Sequence, residues 1–207
     1  MTARGAAATN GGSAAAAGDG GEAPAPDAGI IDGAEVRLPT AEATREWGRT
    51  LAGILRAGDL VVLTGELGAG KTTLAQGVGR GLGVRGPILS PTFVIARVHP
   101  SLVGGPALVH VDAYRLATLE DVDLLDLDAS LDESVTLVEW GKGMVEHLAA
   151  SRLEIHLIRA RGASNTPGAA GAATADDDGR IAFISAVGPR WSAVPRLGVP
   201  FAIPFDG

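Results

Sequence analysis

The sequence contains no cysteine, which excludes a disulfide framework, a thiolate metal site and a cysteine nucleophile. It has no run of about eighteen apolar residues, the length a membrane-crossing helix needs. Its Ala-rich N-terminus lacks the basic region and apolar core of a secretory signal, so a cytoplasmic location is expected. Lysine is scarce as well: of 17 basic side chains only Lys71 and Lys142 are not arginine. The formal net charge of −7 opposes bulk electrostatic binding to nucleic acid, which draws on many phosphate contacts. Only a local basic patch escapes that average.

What the chain does have is a hydrophobic content of 46% over 207 residues, enough for the core of one domain with tails. That domain is organised around residues 65–72, G-E-L-G-A-G-K-T, which fit the phosphate-binding template G-x-x-x-x-G-K-[ST]. The preceding Leu60, Val61, Val62, Leu63 and Thr64 read as a buried strand, and the following Thr73, Leu74, Ala75 and Gln76 can start a helix. Glycines in such a loop let successive N–H groups point into one concavity, and the helix N-terminus adds partial positive charge there. Lys71 would reach the β- and γ-phosphates of a nucleotide, and the Thr72 hydroxyl a phosphate-bound magnesium ion. An ammonium kept in so arginine-rich a chain marks a position where a bulky guanidinium does not fit beside phosphates.

Residues 1–29 are mostly Ala, Gly, Ser, Pro and Asp. They are expected to form a disordered tail, because they cannot bury enough surface to offset their ordering entropy. The domain is placed at 30–188. Residues 35–38 alternate like a short strand, and 40–56 carry Ala43, Trp47, Leu51 and Ile54 at helical spacing behind Thr40 as N-cap. Trp47 is read as core rather than as a nucleotide platform. The helix after the glycine loop should stop near 81–83. Beyond it come a mixed strand at 94–98, a loop at 100–106 and an apolar strand at 107–111 that delivers Asp112. A surface helix is expected over 119–131, then a buried strand at 134–138 delivering Glu139, and a short helix within 141–150. Strands at 152–158 and 180–187 flank a flexible loop at about 160–179. The Pro-rich end, 189–207, shows no clear element and is read as a tail.

Strands alternating with helices imply an α/β fold, a P-loop NTPase-like three-layer arrangement with a mostly parallel central sheet flanked by helices. Ligands bind such a sheet at the carboxyl ends of its strands. Asp112 and Glu139 each end an apolar strand. From that position a carboxylate holds magnesium, directly or through water, or orients the attacking water; which of the two does which is open.

Taken in order, G-E-L-G-A-G-K-T-T, S-P-T-F, H-V-D-A-Y-R-L and L-V-E-W resemble the TsaE (YjeE) family of bacterial P-loop ATPases, over about residues 37–187. The resemblance implies binding and hydrolysis of ATP; turnover is expected to be slow without partners, because Lys71 and magnesium neutralise the γ-phosphate from one side only. The family works in making the threonylcarbamoyl-adenosine modification next to the anticodon of tRNAs that read codons beginning with A. It implies TsaB and TsaD as partners, the latter carrying out the transfer, with tRNA engaged only through the complex. It places the ATP phosphates on Gly68, Ala69, Gly70, Lys71, Thr72 and Thr73, and magnesium on Thr72 and Glu139. Asp112 would take the other carboxylate role near the γ-phosphate, which makes Lys71, Asp112 and Glu139 the candidate catalytic residues. Ser90 and Thr92 resemble a switch-like loop whose hydroxyl senses that phosphate, and Thr44 matches a position near the adenine. Glu66 stands where Asp is commoner, and the segments 100–106 and 160–179 are idiosyncratic.

Tyr114 and Arg115 read equally as a catalytic pair or as a structural pair holding the Asp112 loop, and Trp140 as a partner contact or as packing. The four histidines show no metal-like cluster. Three other functions compete. A small-molecule kinase would need an Arg-rich lid, and only scattered arginines lie between the glycine loop and Glu139. A GTP switch would need a guanine-reading N-K-x-D segment, which is absent. A scaffold that merely binds ATP is the third.

Overall fold

A computed structural model of the protein describes residues 31–159 and 179–192. The expected tail at 1–29, all but the end of the 160–179 loop, and the chain after residue 192 lie outside them. In chain order the described residues form β1 (Ile31–Leu38), α1 (Ala41–Ala52), β2 (Leu60–Thr64), α2 (Lys71–Leu82), β3 (Ala96–His99) and β4 (Ala107–Asp112). They continue as α3 (Leu119–Asp123), α4 (Asp128–Leu131), β5 (Ser134–Glu139), β6 (Arg152–Arg159), β7 (Arg180–Val187) and α5 (Pro189–Ser192). Their strands make one seven-stranded sheet in the order β1-β7-β6-β2-β5-β4-β3.

The sheet is mixed rather than mostly parallel. Its centre, β6-β2-β5-β4, is parallel, while β7, β1 and β3 are added antiparallel at the two edges. The short loop at 100–106 explains the β3 edge. A parallel neighbour would need a crossover of a dozen or more residues, whereas a hairpin-length connection returns the chain antiparallel.

β2 is apolar along its length because both faces of the central strands are covered. Val61 and Leu63 join a core with Trp47, Leu51, Leu74 and Val78 of α1 and α2. Leu60 and Val62 join a second core on the other face with Val122, Leu127, Leu131 and Val145. Trp47, 4% exposed, is core, as the helical spacing predicts. Thr40 caps α1 by accepting the Ala43 N–H. α1 crosses α2 so closely that a Cβ on Gly77 would overlap the Arg45 carbonyl oxygen. Truncating Leu51, 4% exposed in this contact, to Ala should cost about 2–5 kcal/mol through lost burial and a residual cavity.

Three local expectations are corrected. The single helix over 119–131 is two short ones: Thr118 and Asp121 close a capping box on α3, and the chain then turns through Asp126 at φ 52°, which ends α-helical continuity. The segment 141–150 forms turns and a 3-10 turn at Glu146–Leu148 instead of an α-helix. The element-free end from 189 begins with α5, whose Trp191 is fully buried and whose Arg190 reaches Asp59. A helix of one turn carries no periodic signal in the sequence.

Candidate functional site

Three segments converge at the carboxyl edge of the parallel strands. The loop that follows β2 bends through Gly65, Gly68 and Gly70 at φ 136°, 77° and 105°, conformations that side chains with a Cβ rarely adopt. Gly70 then caps α2 with no side chain of its own, so the first N–H groups of the helix are left to a ligand. β5 lies next to β2 and places Glu139 in register with Leu63. β4 lies next to β5 and places Asp112 in register with Glu139. The sheet order therefore brings both carboxylates to the glycine loop, although they are distant in sequence.

A cleft of about 450 Å3 opens there. Gly68, Gly70, Lys71, Thr72, Thr73, Ser90, Thr92, Asp112 and Glu139 all line it. The Thr72 hydroxyl donates to Glu139 Oε1 at 2.9 Å and approaches Oε2 at 3.2 Å. Both carboxylates are 3% exposed. Asp112 Oδ2 accepts the Ser90 hydroxyl at 2.9 Å and the Thr92 hydroxyl at 2.5 Å, and Oδ1 accepts the Tyr114 N–H at 3.1 Å. The two switch-like hydroxyls are thus tied to one carboxylate, and Tyr114 contributes its backbone to holding Asp112. Hydroxyl and carboxylate oxygens are the donors a small hard cation takes. Among the described residues no group of three or more His, Cys, Asp and Glu side chains forms a metal cluster.

The Lys71 ammonium, 4% exposed, donates to the carbonyls of Gly65 at 2.8 Å and Glu66 at 3.0 Å. Burial pulls its pKa below the ordinary lysine value, against the opposing fields of Glu139 and Asp112. It also sits 3.7 Å from the centre of the Trp140 ring, a cation–π contact. Trp140 holds a left-handed backbone, φ 63°, with its N–H on the Leu63 carbonyl at 2.9 Å. Its ring packs within the site, 5.2 Å from that of Tyr114.

Two predicted site residues stand apart. Ala69 is 1% exposed and its N–H donates to the Glu66 carbonyl at 3.1 Å, so it shapes the loop. Thr44 is fully buried in α1 and its hydroxyl donates to the Thr40 carbonyl at 3.0 Å. That side chain is not among the residues lining the cleft. None of the arginines between the glycine loop and Glu139, namely Arg80, Arg85, Arg97 and Arg115, lines the cleft. Arg115 is exposed and lies 4.9 Å over the Phe93 ring, and Arg97 is exposed on β3.

Sequence reasoning missed two residues. Arg180, the first residue of β7, lines the cleft; nothing local in the sequence marks it, since only strand pairing carries β7 to the loop. His110 is buried with its Nε2 2.9 Å from Glu139 Oε1. Its place two residues before Asp112 on an alternating strand was the available signal.

The family model for the threonylcarbamoyl adenosine biosynthesis protein TsaE matches residues 38–166. The protein named tRNA threonylcarbamoyladenosine biosynthesis protein TsaE in Streptomyces coelicolor is 56% identical over 149 residues, 72% of this chain and 93% of its own length. The protein of the same name in Bacillus subtilis is 34% identical over 156 residues, 75% of this chain and 87% of its own. The crystal structure of Bacillus subtilis YdiB superposes with a TM-score of 0.57 at 28% identity, covering 77% of this chain and 89% of that one. With a family model over most of the described domain and relatives of this identity and coverage, the chain belongs to the TsaE family of threonylcarbamoyl adenosine biosynthesis proteins.

Proposed function

We propose that this protein is a P-loop ATPase that serves threonylcarbamoyl modification of the adenosine next to the anticodon in tRNAs reading codons that begin with A, acting with TsaB and TsaD. The observation that carries the reading is the convergence of Lys71, Thr72, Glu139 and Asp112 on one cleft at a glycine-capped helix. The names of its relatives supply the pathway. ATP is the substrate whose triphosphate this cradle suits, and the oxygen donors of Thr72 and Glu139 would hold magnesium, which takes one or two protein carboxylates and fills its shell with phosphate and water. Bound there, magnesium would neutralise charge on the phosphate oxygens. The Lys71 ammonium, now on two loop carbonyls, supplies a further positive charge to the phosphates. Asp112, held by Ser90, Thr92 and the Tyr114 N–H, is oriented to fix an attacking water. Its grip on both hydroxyls couples the loop at 90–92 to the terminal phosphate, the kind of link through which nucleotide state reaches partner proteins.

The test measures ATP binding and phosphate release by wild type and Lys71→Ala, each alone and with TsaB, TsaD and tRNA. Wild type is expected to bind ATP and to turn it over slowly alone and faster with the partners, while the folded variant does neither. Normal turnover by folded Lys71→Ala would end the assignment of the glycine loop. Phosphate arriving on a small-molecule acceptor would replace it with a kinase.

A further inference from the structure

The cleft has two unlike flanks. On the β5–β4 flank stand the carboxylates of Glu139 and Asp112, and on the β6–β7 flank stands Arg180. Although it carries a guanidinium, Arg180 is only 6% exposed. A Cβ placed on Gly70 would lie 3.0 Å from its Nε and 3.2 Å from its Cδ. The side chain therefore runs along the glycine loop at the residue that caps α2, where helix N–H groups and their partial charge already favour an anion.

The strand pairing adds to this. Arg180 is directly opposite Arg159 in the antiparallel β6–β7 ladder, and residues so paired share a face of the sheet. The Arg159 guanidinium carbon lies 3.9 Å from a Cβ placed on Gly68. Two guanidinium groups are thus brought against the same loop as Lys71. Guanidinium groups beside the glycine loop add to the preference of the α2 N-terminus for an anion.

We propose that Arg180 is a nucleotide-binding residue whose guanidinium takes oxygens of the α- and β-phosphates from the flank opposite the carboxylates. This rests on the ATP reading above. The choice of phosphates follows from the sheet order. The groups suited to a cation and a terminal phosphate, Thr72 with Glu139 and Asp112 with Ser90 and Thr92, belong to the β5–β4 side. Arg180 lies on the other side of β2, beyond β6, beside the phosphates that ADP retains. A planar fork with two parallel donors suits that bridging contact, whereas an ammonium makes only a point contact.

Affinities for fluorescent ADP and ATP analogues of the full chain test this, in wild type, Lys71→Ala, Arg180→Gln and Arg180→Lys, with melting temperature as the folding control. Arg180→Gln is expected to weaken ADP and ATP alike, by about tenfold or more for a lost charged hydrogen bond. Arg180→Lys should recover part of the loss. Unchanged affinity in folded Arg180→Gln overturns the proposal, and a loss confined to ATP does so too, because it would assign Arg180 to the γ-phosphate. Should Arg180→Gln not fold, the Arg180 Nε–H resonance of wild type, assigned with Arg180→Lys, must move on addition of ADP; a resonance that stays put overturns the proposal. Wild type without Lys71-dependent nucleotide binding sinks the ATP reading and this inference together. Lys71-dependent binding that ignores Arg180 sinks this inference alone.

Discussion

The Thr72 hydroxyl donates to Glu139 Oε1 at 2.9 Å, linking the first turn of α2 to the end of β5 across 67 residues of sequence. Side chains from the glycine loop and from the neighbouring strand thus form one unit, and Asp112 forms a second unit with Ser90 and Thr92. The two carboxylates sit in register on adjacent strands yet have different partners. Their different partners are the basis for expecting different work from them.

If Glu139 serves the cation and Asp112 the loop and the water, their amide variants should fail differently. Glu139→Gln is expected to abolish most of the magnesium-dependent gain in ATP affinity while magnesium-free affinity stays near wild type, since a neutral amide is a poorer magnesium ligand. Asp112→Asn should spare binding and lower turnover, because an amide has one accepting oxygen where Asp112 accepts through both Oδ1 and Oδ2. Nucleotide titrations with and without magnesium, alongside phosphate release, check both. The reverse pattern would exchange the roles.

Lys71 gives a pH dependence with a defined sign. Burial lowers its pKa from 10.5 in the folded protein, so between the folded value and 10.5 the unfolded chain binds more protons, and stability rises with pH. Lys71→Met removes that titration. The difference in unfolding free energy, wild type minus Lys71→Met, should therefore climb through this alkaline window and level off above 10.5. Urea unfolding without nucleotide over an alkaline pH series measures it. A flat difference would show that the ammonium is not desolvated.

The sequence made most of this site legible because the motif residues lie at strand ends, where chain order and position in space coincide. The glycine template announces the loop, and the apolar runs before Asp112 and Glu139 announce the strands that carry them. Residues whose role depends on non-local pairing stayed hidden. Arg180 reaches the cleft only because β7 pairs antiparallel with β6, and His110 matters only because β4 and β5 are neighbours. The burial of Thr44 was not legible either, because the 0% exposure of its side chain is set by α1 packing on α2. The edge strands escaped as well, since direction within a sheet is decided by connection length and partners rather than by the strand's own composition.

At the far end of β2 from the cleft, Asp59 anchors α5. Its Oδ1 and Oδ2 accept Arg190 Nε and Nη2, each at 3.0 Å, with the carboxylate side chain 3% exposed and the guanidinium side chain 14%. Arg190→Ala leaves a buried carboxylate without that partner and should cost about 3 kcal/mol, the lower range for breaking a buried pair. Ending the chain at Gly188 should cost at least as much, because Trp191 is lost from the core as well. Nucleotide affinity should be unaffected in Arg190→Ala at a temperature where it is folded. Denaturant unfolding and a nucleotide titration test the two halves, and a loss below about 1 kcal/mol would reduce the pair to a surface contact.

The last prediction concerns His110, fully buried and touching neither solvent nor cleft. Its Nε2 lies 2.9 Å from Glu139 Oε1, the same oxygen that accepts the Thr72 hydroxyl. With Glu139 ionised to serve a cation, the imidazole must carry its proton on Nε2 and donate. Two donors on one oxygen fix the rotation of the carboxylate and leave the second oxygen with only the longer Thr72 approach, at 3.2 Å. Losing the imidazole should let the carboxylate turn. His110→Phe, which keeps an aromatic ring and removes the donor, is therefore expected to cut the magnesium-dependent gain in ATP affinity by about tenfold, the lower range for an outer-shell partner of a metal ligand. Magnesium-free affinity should not change, a distinction that a general loss of packing would not produce. His110→Gln carries an N–H group at nearly the reach of Nε2 and should restore much of the gain. If His110→Phe binds magnesium–ATP as wild type does, Thr72 alone holds Glu139, and the histidine is no more than a polar residue packed between two strands.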